Sequence, residues 1–384
     1  MYTVVHSVWR CYLPTAVLEE AAAALPNYNG TGLGGMEAVI ATTIINEAKA
    51  DLVSYLDIPD DHEICFMHGG GSAQFSAMAY NFVGNWVTRK YKELQGSESD
   101  ESTVLKLKSA VENLKIDYII TGGWSQKAAA EAERLFDSEH VNIVADSRKA
   151  NGGKFGTIPN EDIWNLSHDA AMFPVFPKCL EPGPDRPIFV VDMSSDILSR
   201  KTPIFNFSAI LFGAQKNLGS TGITVVIIQK YLLPQPSPAL MRQLMLLIPP
   251  RIFEFETIIK YNSLYNTLSI FDVFIAGRSK DSRSYPKRKL NLFITPLEAY
   301  STIYQIIPDK AVRSRMNICF RIKGGDAVEE AFLKDAAAVG LTGLKGHREL
   351  KGGAEKLANS IGAFASRGGT SLVKYLHYRV VLWG

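Results

Sequence analysis

The chain has 384 residues, 46% hydrophobic and 21% charged, enough apolar length for a large core in two domains or in one large domain with an appendage. A formal charge of +2 leaves no basic or acidic excess of the kind that a nucleic-acid or anionic-membrane partner would need. The four cysteines, Cys11, Cys65, Cys179 and Cys319, lack metal-ligand spacing and suit a reducing compartment. No apolar run is long enough to cross a membrane and none at the start reads as a signal peptide, so the expected location is cytoplasmic.

Pro14 to Leu25 predicts a helix with Val17, Leu18, Ala21, Ala22 and Leu25 on one face. Ile40, Ile44, Ile45, Ala48 and Leu52 repeat that spacing in a second helix. Around Ile64 to Phe75 a short strand meets His68-Gly69-Gly70-Gly71-Ser72 and then a helical pattern. Glycines let backbone approach an anion closely, and the amides that open a helix are unpaired donors, so a phosphate fits there. No Gly-Lys-Ser/Thr follows, which excludes a nucleotide P-loop, and three glycines alone are more often a flexible turn. Arg89 to Ser109 is polar and charge-dense, which predicts a solvated insertion. Short strands and helices then alternate to about Tyr261, consistent with a mainly parallel sheet covered on both faces. After the basic stretch Gly277 to Lys289, a second α/β region follows from about Leu290.

Two positions in this sheet carry chemistry. Pro187 to Val191 reads as a strand ending on Asp192, and a carboxylate there points into the crevice where ligands of open α/β sheets collect. It is equally placed to cap a helix. Ser208 to Phe212 and Ile223 to Ile228 read as buried strands flanking the turn Gly213-Ala214-Gln215-Lys216-Asn217. A lysine in such a turn either faces solvent or, held between the strands, loses hydration and offers a neutral amine for imine chemistry. The order of aspartate then lysine on successive strands favours the second reading. It is the pair a pyridoxal-phosphate enzyme requires, a carboxylate for the pyridinium nitrogen and an amine for the covalent bond.

Seven segments in order, MHGGGSAQF (Met67 to Phe75), TGGWSQKA (Thr121 to Ala128), VVDMSSDILSR (Val190 to Arg200), GAQKNLGSTGITVVII (Gly213 to Ile228), YNT (Tyr265 to Thr267), SRMN (Ser314 to Asn317) and LKGHR (Leu344 to Arg348), resemble the phosphoserine aminotransferase family. The resemblance implies a fold-type-I transferase with a mainly parallel central sheet, a large cofactor domain over residues 13–268 and a small α/β domain over 269–384, joined by 1–12. It further implies a homodimer using pyridoxal 5'-phosphate to pass the amino group of L-glutamate to 3-phosphohydroxypyruvate, giving O-phospho-L-serine and 2-oxoglutarate in serine biosynthesis. Carried over by position, Lys216 would hold the cofactor covalently, Asp192 would pair with its ring nitrogen and Trp124 would stack on the ring, although a bare tryptophan is more often a core residue. Gly71, Ser72 and Gln215 would bind its phosphate, Asn266 and Thr267 would complete that site from the neighbouring subunit, and His347 and Arg348 would bind the substrate phosphate. No metal is implied.

Departures from the family pattern fall on the substrate side. Val8 to Tyr12 replaces a Gly-Pro pair, Gly35 to Thr43 lacks a Ser-His-Arg segment, Phe173 to Cys179 replaces an Asn-Glu-Thr segment, and Gly352-Gly353-Ala354-Glu355 puts a carboxylate where an arginine is expected. Each lost arginine removes a bidentate contact to substrate carboxylate, in which hydrogen bonds to charged groups contribute about 1.5–3 kcal/mol each. These changes leave open a catalytically impaired or non-catalytic cofactor-binding relative, an aminotransferase with a different acceptor, or a translation lacking short coding pieces.

Overall fold

The computed structural model describes residues 5–8, 15–32, 38–94, 100–153, 155, 188–195, 197–199, 201–278, 294–310, 313, 317–338, 361–364 and 366. The chain divides into two compact units, Cys11–Ser282 and Met1–Arg10 with Arg283–Gly384, so that strand β1 (Val5–Val8) belongs to the second.

In the larger unit, α1 (Thr15–Ala24) buries a stripe one residue wide, Val17 and Ala21 with Ala24 partly covered. Leu18 and Leu25 are 49% and 42% exposed and Ala22 is exposed, so the broad apolar face expected from sequence is not used. The helix packs on α9 (Ile270–Gly277) and on the turn Tyr28–Gly30, and among the described residues these neighbours cover only that stripe. Helix α2 (Ala38–Leu56) does bury Ile40, Ile44, Ile45, Ala48 and Leu52, as their spacing predicts.

Four strands, β2 (His62–His68), β5 (Val190–Asp192), β6 (Ala209–Gly213) and β7 (Ile223–Gln229), form a sheet in the order β2-β7-β6-β5. Among these described strands β2, β5 and β6 run the same way, in agreement with a mainly parallel sheet, and β7 runs against both its neighbours. A parallel pairing needs a crossover of about a dozen residues or more, and residues 214–222 between β6 and β7 are too few. Strands β3 (Ile116–Ile120) and β4 (Val141–Asp146) form a separate parallel pair.

The sheet is covered on both faces because strand side chains alternate. Ile64, Phe66, Ile210, Phe212, Val225 and Ile227 enter one core with α2 and α9. Cys65, Met67, Ala209, Leu211, Val226 and Ile228 enter the other with α3 (Gly71–Glu93) and α5 (Gly123–Phe136). Burial of each large side chain contributes about 1.5–3 kcal/mol. Ile227, fully buried in the middle of β7, sets a direct test: Ile227→Ala should lower unfolding free energy by about 2–5 kcal/mol, read as a shift in denaturant midpoint at constant slope.

The segment Arg89 to Ser109, expected as a solvated insertion, is instead the last turn of α3 and most of α4 (Glu101–Glu112), with residues 95–99 outside the described set. Asp100 caps α4, accepting from Ser102 N at 3.1 Å and Thr103 Oγ1 at 2.7 Å. Hydrogen bonds from the Thr103 and Ser102 side chains hold its carboxyl below the ordinary carboxylate range. Leu107 is fully buried and Thr103 nearly so. Val104, Ala110 and Val111 pack partly buried beside Leu107, one apolar stripe that the charged residues around it mask in composition. Short helices α6 (Ser147–Ala150), α7 (Pro238–Gln243) and α8 (Phe255–Lys260) complete the unit with α9. Arg278, just past α9, donates from Nε to Glu20 Oε1 at 2.7 Å and lies 4.8 Å from the Phe274 ring, which ties α9 to α1.

In the smaller unit β1 pairs with β9 (Asn317–Ile322), and β9 with β8 (Tyr304–Ile306), all antiparallel. Leu297 from α10 (residues 294–299) and Phe332 and Ala336 from α11 (Asp326–Ala338) join Tyr304, Phe320, Ile361 and Phe364 in its core. Its rings meet edge to face, Tyr304 to Phe320 at 5.7 Å and Phe332 to Phe364 at 5.3 Å.

Candidate active site

The register of the sheet brings the carboxyl ends of β2, β6 and β5 to one edge. His68 pairs with Ile223, Gly213 with Thr224, and Asp192 with Leu211. With strands about 4.8 Å apart, the glycine loop after β2 and the lysine turn after β6 stand about 10 Å from each other across β7. This is the crevice outside the strand ends where α/β sheets bind ligands.

Asp192 closes β5, and its Oδ1 accepts from Ser194 N at 2.8 Å and Ser194 Oγ at 2.5 Å. Ser194 Oγ in turn accepts from Gly213 N at 2.9 Å, so one hydroxyl links the aspartate to the start of the lysine turn. The Asp192 side chain reaches solvent on one side, while the protein packed around the strand end strips away water and pushes its carboxyl above the ordinary range. That desolvation outweighs the Ser194 hydrogen bonds and the nearby Lys216 charge, which both pull it down. A second stitch runs from Asn217 Nδ2 to Ile197 O at 2.7 Å, holding the residue next to Lys216 against the turn that follows Asp192. Lys216 and Gln215 are partly buried, and Gln215 folds its side-chain amide back over Gly213.

On the other side of β7, Gly70 caps α3 with φ +121°, and neither a side-chain cap nor an acidic residue occupies the first turn. The first amides of a helix have no intrahelical partner, and the helix dipole favours an anion there. Helix α5 begins beside it. A Cβ built at Gly71 would lie 3.7 Å from the Trp124 ring, and Phe75 meets Trp124 edge to face at 6.3 Å. Trp124 is 51% exposed, and Lys127 Nζ lies 4.5 Å from its ring centre. Ser125 Oγ accepts from Thr121 N and Gly122 N, both at 3.0 Å, and fixes the turn that presents the indole. The two halves of the crevice are joined where Gly69 N donates to Gly222 O at 2.7 Å. A Cβ at Gly69 would come within 2.9 Å of the Gly222 carbonyl carbon, so only glycine permits this contact.

Asp192, Gln215 and Lys216 therefore gather on one side, with Gly71, Ser72 and Trp124 on the other. Asn266 borders a hollow shared with His68, Gly69 and Gln74 of the same chain, and Thr267 is exposed next to it. His347 and Arg348 lie outside the described residues, as do residues 9–14, 33–37, 173–179 and 352–355, where most of the family departures fall. Ser194 and Asn217 join the site in the structure beyond the residues that the sequence points to. Ser194 carried a signal in its position two residues after an aspartate, the spacing of an Asx turn.

These groups fit pyridoxal phosphate on the geometry of this chain alone. A destabilised Asp192 carboxylate is relieved by a ring cation, the uncapped first turn of α3 suits a phosphate, and an exposed indole offers a flat face. No group of His, Cys, Asp and Glu among the described residues is arranged to hold a metal, and no described helix is long and apolar enough to cross a membrane.

The class-V aminotransferase family model matches residues 185–249, the stretch that holds Asp192 and Lys216. Over 94% of both chains, this one is 34% identical to a phosphoserine aminotransferase of Saccharomyces cerevisiae. It is 32% identical over 91% of both chains to that of Drosophila melanogaster. Among solved structures, the phosphoserine aminotransferase from Bacillus circulans subsp. alkalophilus superposes with a TM-score of 0.71 at 26% identity, covering 95% of this chain and 97% of its own.

Proposed function

The chain belongs to the phosphoserine aminotransferase family, and on that premise we propose that it moves the amino group of L-glutamate to 3-phosphohydroxypyruvate, forming O-phospho-L-serine and 2-oxoglutarate. It is a pyridoxal-phosphate-dependent aminotransferase. When bound, the cofactor supplies an electron sink that stabilises the carbanion formed at the amino-acid α-carbon. The residues of this chain do the rest. Lys216 Nζ would hold the cofactor and serve as the acid–base group for proton transfer, Asp192 would pair with the ring nitrogen, Trp124 would set the ring plane, and Gly71, Ser72 and Gln215 would hold the phosphate. We place Asn266 and Thr267 at the phosphate site of a second subunit, which makes a homodimer the working unit, and His347 and Arg348 at the substrate phosphate.

The observation that carries this reading is the stitched pair of turns, Asp192–Ser194–Gly213 and Ile197–Asn217, which sets a carboxylate and a lysine beside each other at one sheet edge. The test is formation of O-phospho-L-serine from L-glutamate and 3-phosphohydroxypyruvate by purified, cofactor-loaded protein. Turnover with this acceptor supports the reading. Conversion of glutamate to 2-oxoglutarate with no phosphate dependence in the acceptor would replace the substrate assignment. Glu355 in place of the expected arginine favours a second reading, a cofactor-binding relative with weak turnover, and bound cofactor without product would establish it.

A further inference from the structure

The turn that carries Lys216 is seated on α9 at three points. A Cβ built at Gly219 would lie 3.0 Å from Ile275 Cγ2, Ser220 Oγ donates to Asp272 Oδ1, and Gly222, at φ +122°, leaves no room for a Cβ against the Asp272 carboxylate. The same Gly222 takes the hydrogen bond from Gly69 in the glycine loop. Asp272 therefore touches both ends of a short path, Ser220 toward the lysine and Gly222 toward the phosphate side. None of these contacts belongs to the residues assigned to cofactor or substrate.

We propose that Asp272 and Ser220 are a positioning pair that sets the Lys216 turn against the Gly69–Gly71 loop, so that amine and phosphate cradle stand at the separation one cofactor molecule requires. The inference rests on the reading of Lys216 as the cofactor lysine. Seating matters because the amine must lie within bonding reach of a molecule whose other end is fixed at α3, and a displacement of about 1 Å can cost about 10²-fold. Asp272 also stands in the first turn of α9, where a carboxylate stabilises the helix without any effect on the cofactor. Ser220→Ala separates the two roles, because it removes the contact and leaves the carboxylate on α9.

The experiment measures pyridoxal-phosphate dissociation constants by quenching of tryptophan fluorescence, together with the melting temperature of the cofactor-free protein and the pH midpoint of the bound-cofactor absorbance. Ser220→Ala and Asp272→Ala should each weaken binding by about ten- to a hundredfold, the scale of one hydrogen bond to a charged group. Each should also displace the pH midpoint. The double variant should be no worse than either single one, and Asp272→Asn, which keeps an oxygen acceptor, should retain most of the affinity. Wild-type binding in Ser220→Ala, additive losses in the double variant, or losses that only follow the melting temperature would overturn the pair. Wild-type protein that bound no pyridoxal phosphate would overturn the cofactor reading itself, and this inference with it.

Discussion

Lys216→Ala should reduce transamination by about 10²–10⁴-fold, the range that a positioned proton-transfer group contributes, while the fold stays intact. Lys216 is on a turn, only partly buried, so truncation opens no core cavity. The partner turns remain fixed by Ser194 to Gly213 and Asn217 to Ile197, neither of which uses the lysine side chain. Initial rates with glutamate, beside the melting temperature of the cofactor-free variant, check both halves. A variant with wild-type turnover would remove the lysine from the mechanism.

Asp192→Asn should separate function from stability. With the anion gone, the ring nitrogen loses its counter-charge, and an opposite charge within about 4–6 Å is worth one to three pKa units, so turnover should fall by about 10- to 10³-fold. The effect on the cofactor-free fold runs the other way. The folded-state pKa of Asp192 is raised, so its stability contribution is full below the ordinary carboxylate pKa of about 3.9 and is lost as pH rises through the raised value. At neutral pH the wild-type protein therefore carries a partly desolvated charge that asparagine lacks. Denaturant unfolding of the cofactor-free proteins between about pH 3 and pH 8 should show the variant gaining on wild type as pH rises. A variant that lost ground with rising pH would contradict the desolvated carboxylate.

The parts of this molecule that sequence discloses are those set by local repetition. The spacing of Ile40, Ile44, Ile45, Ala48 and Leu52 predicts the buried face of α2, and the apolar runs at β6 and β7 mark strands covered on both sides. The order of Asp192 and Lys216 predicts their meeting because β5 and β6 are adjacent and parallel. What remains hidden depends on partners distant in sequence. The face of α1 is narrowed by α9, more than two hundred residues away, and the stripe of α4 around Leu107 is covered by the core of the larger unit. The Gly69–Gly222 joint and the Ser220–Asp272 contact leave no periodic trace, since each depends on one close approach between segments distant in sequence. The reversed direction of β7 was readable after all from the short 214–222 connection.

The most direct measurement is to load purified protein with pyridoxal phosphate, reduce it with borohydride and locate the added mass by peptide mapping. The adduct should reside on the peptide containing Lys216, and it should be lost when L-glutamate is added before reduction. An adduct spread over other lysines with Lys216 unmodified, or one that glutamate leaves untouched, would contradict the assignment of this crevice as the site of amino-group transfer.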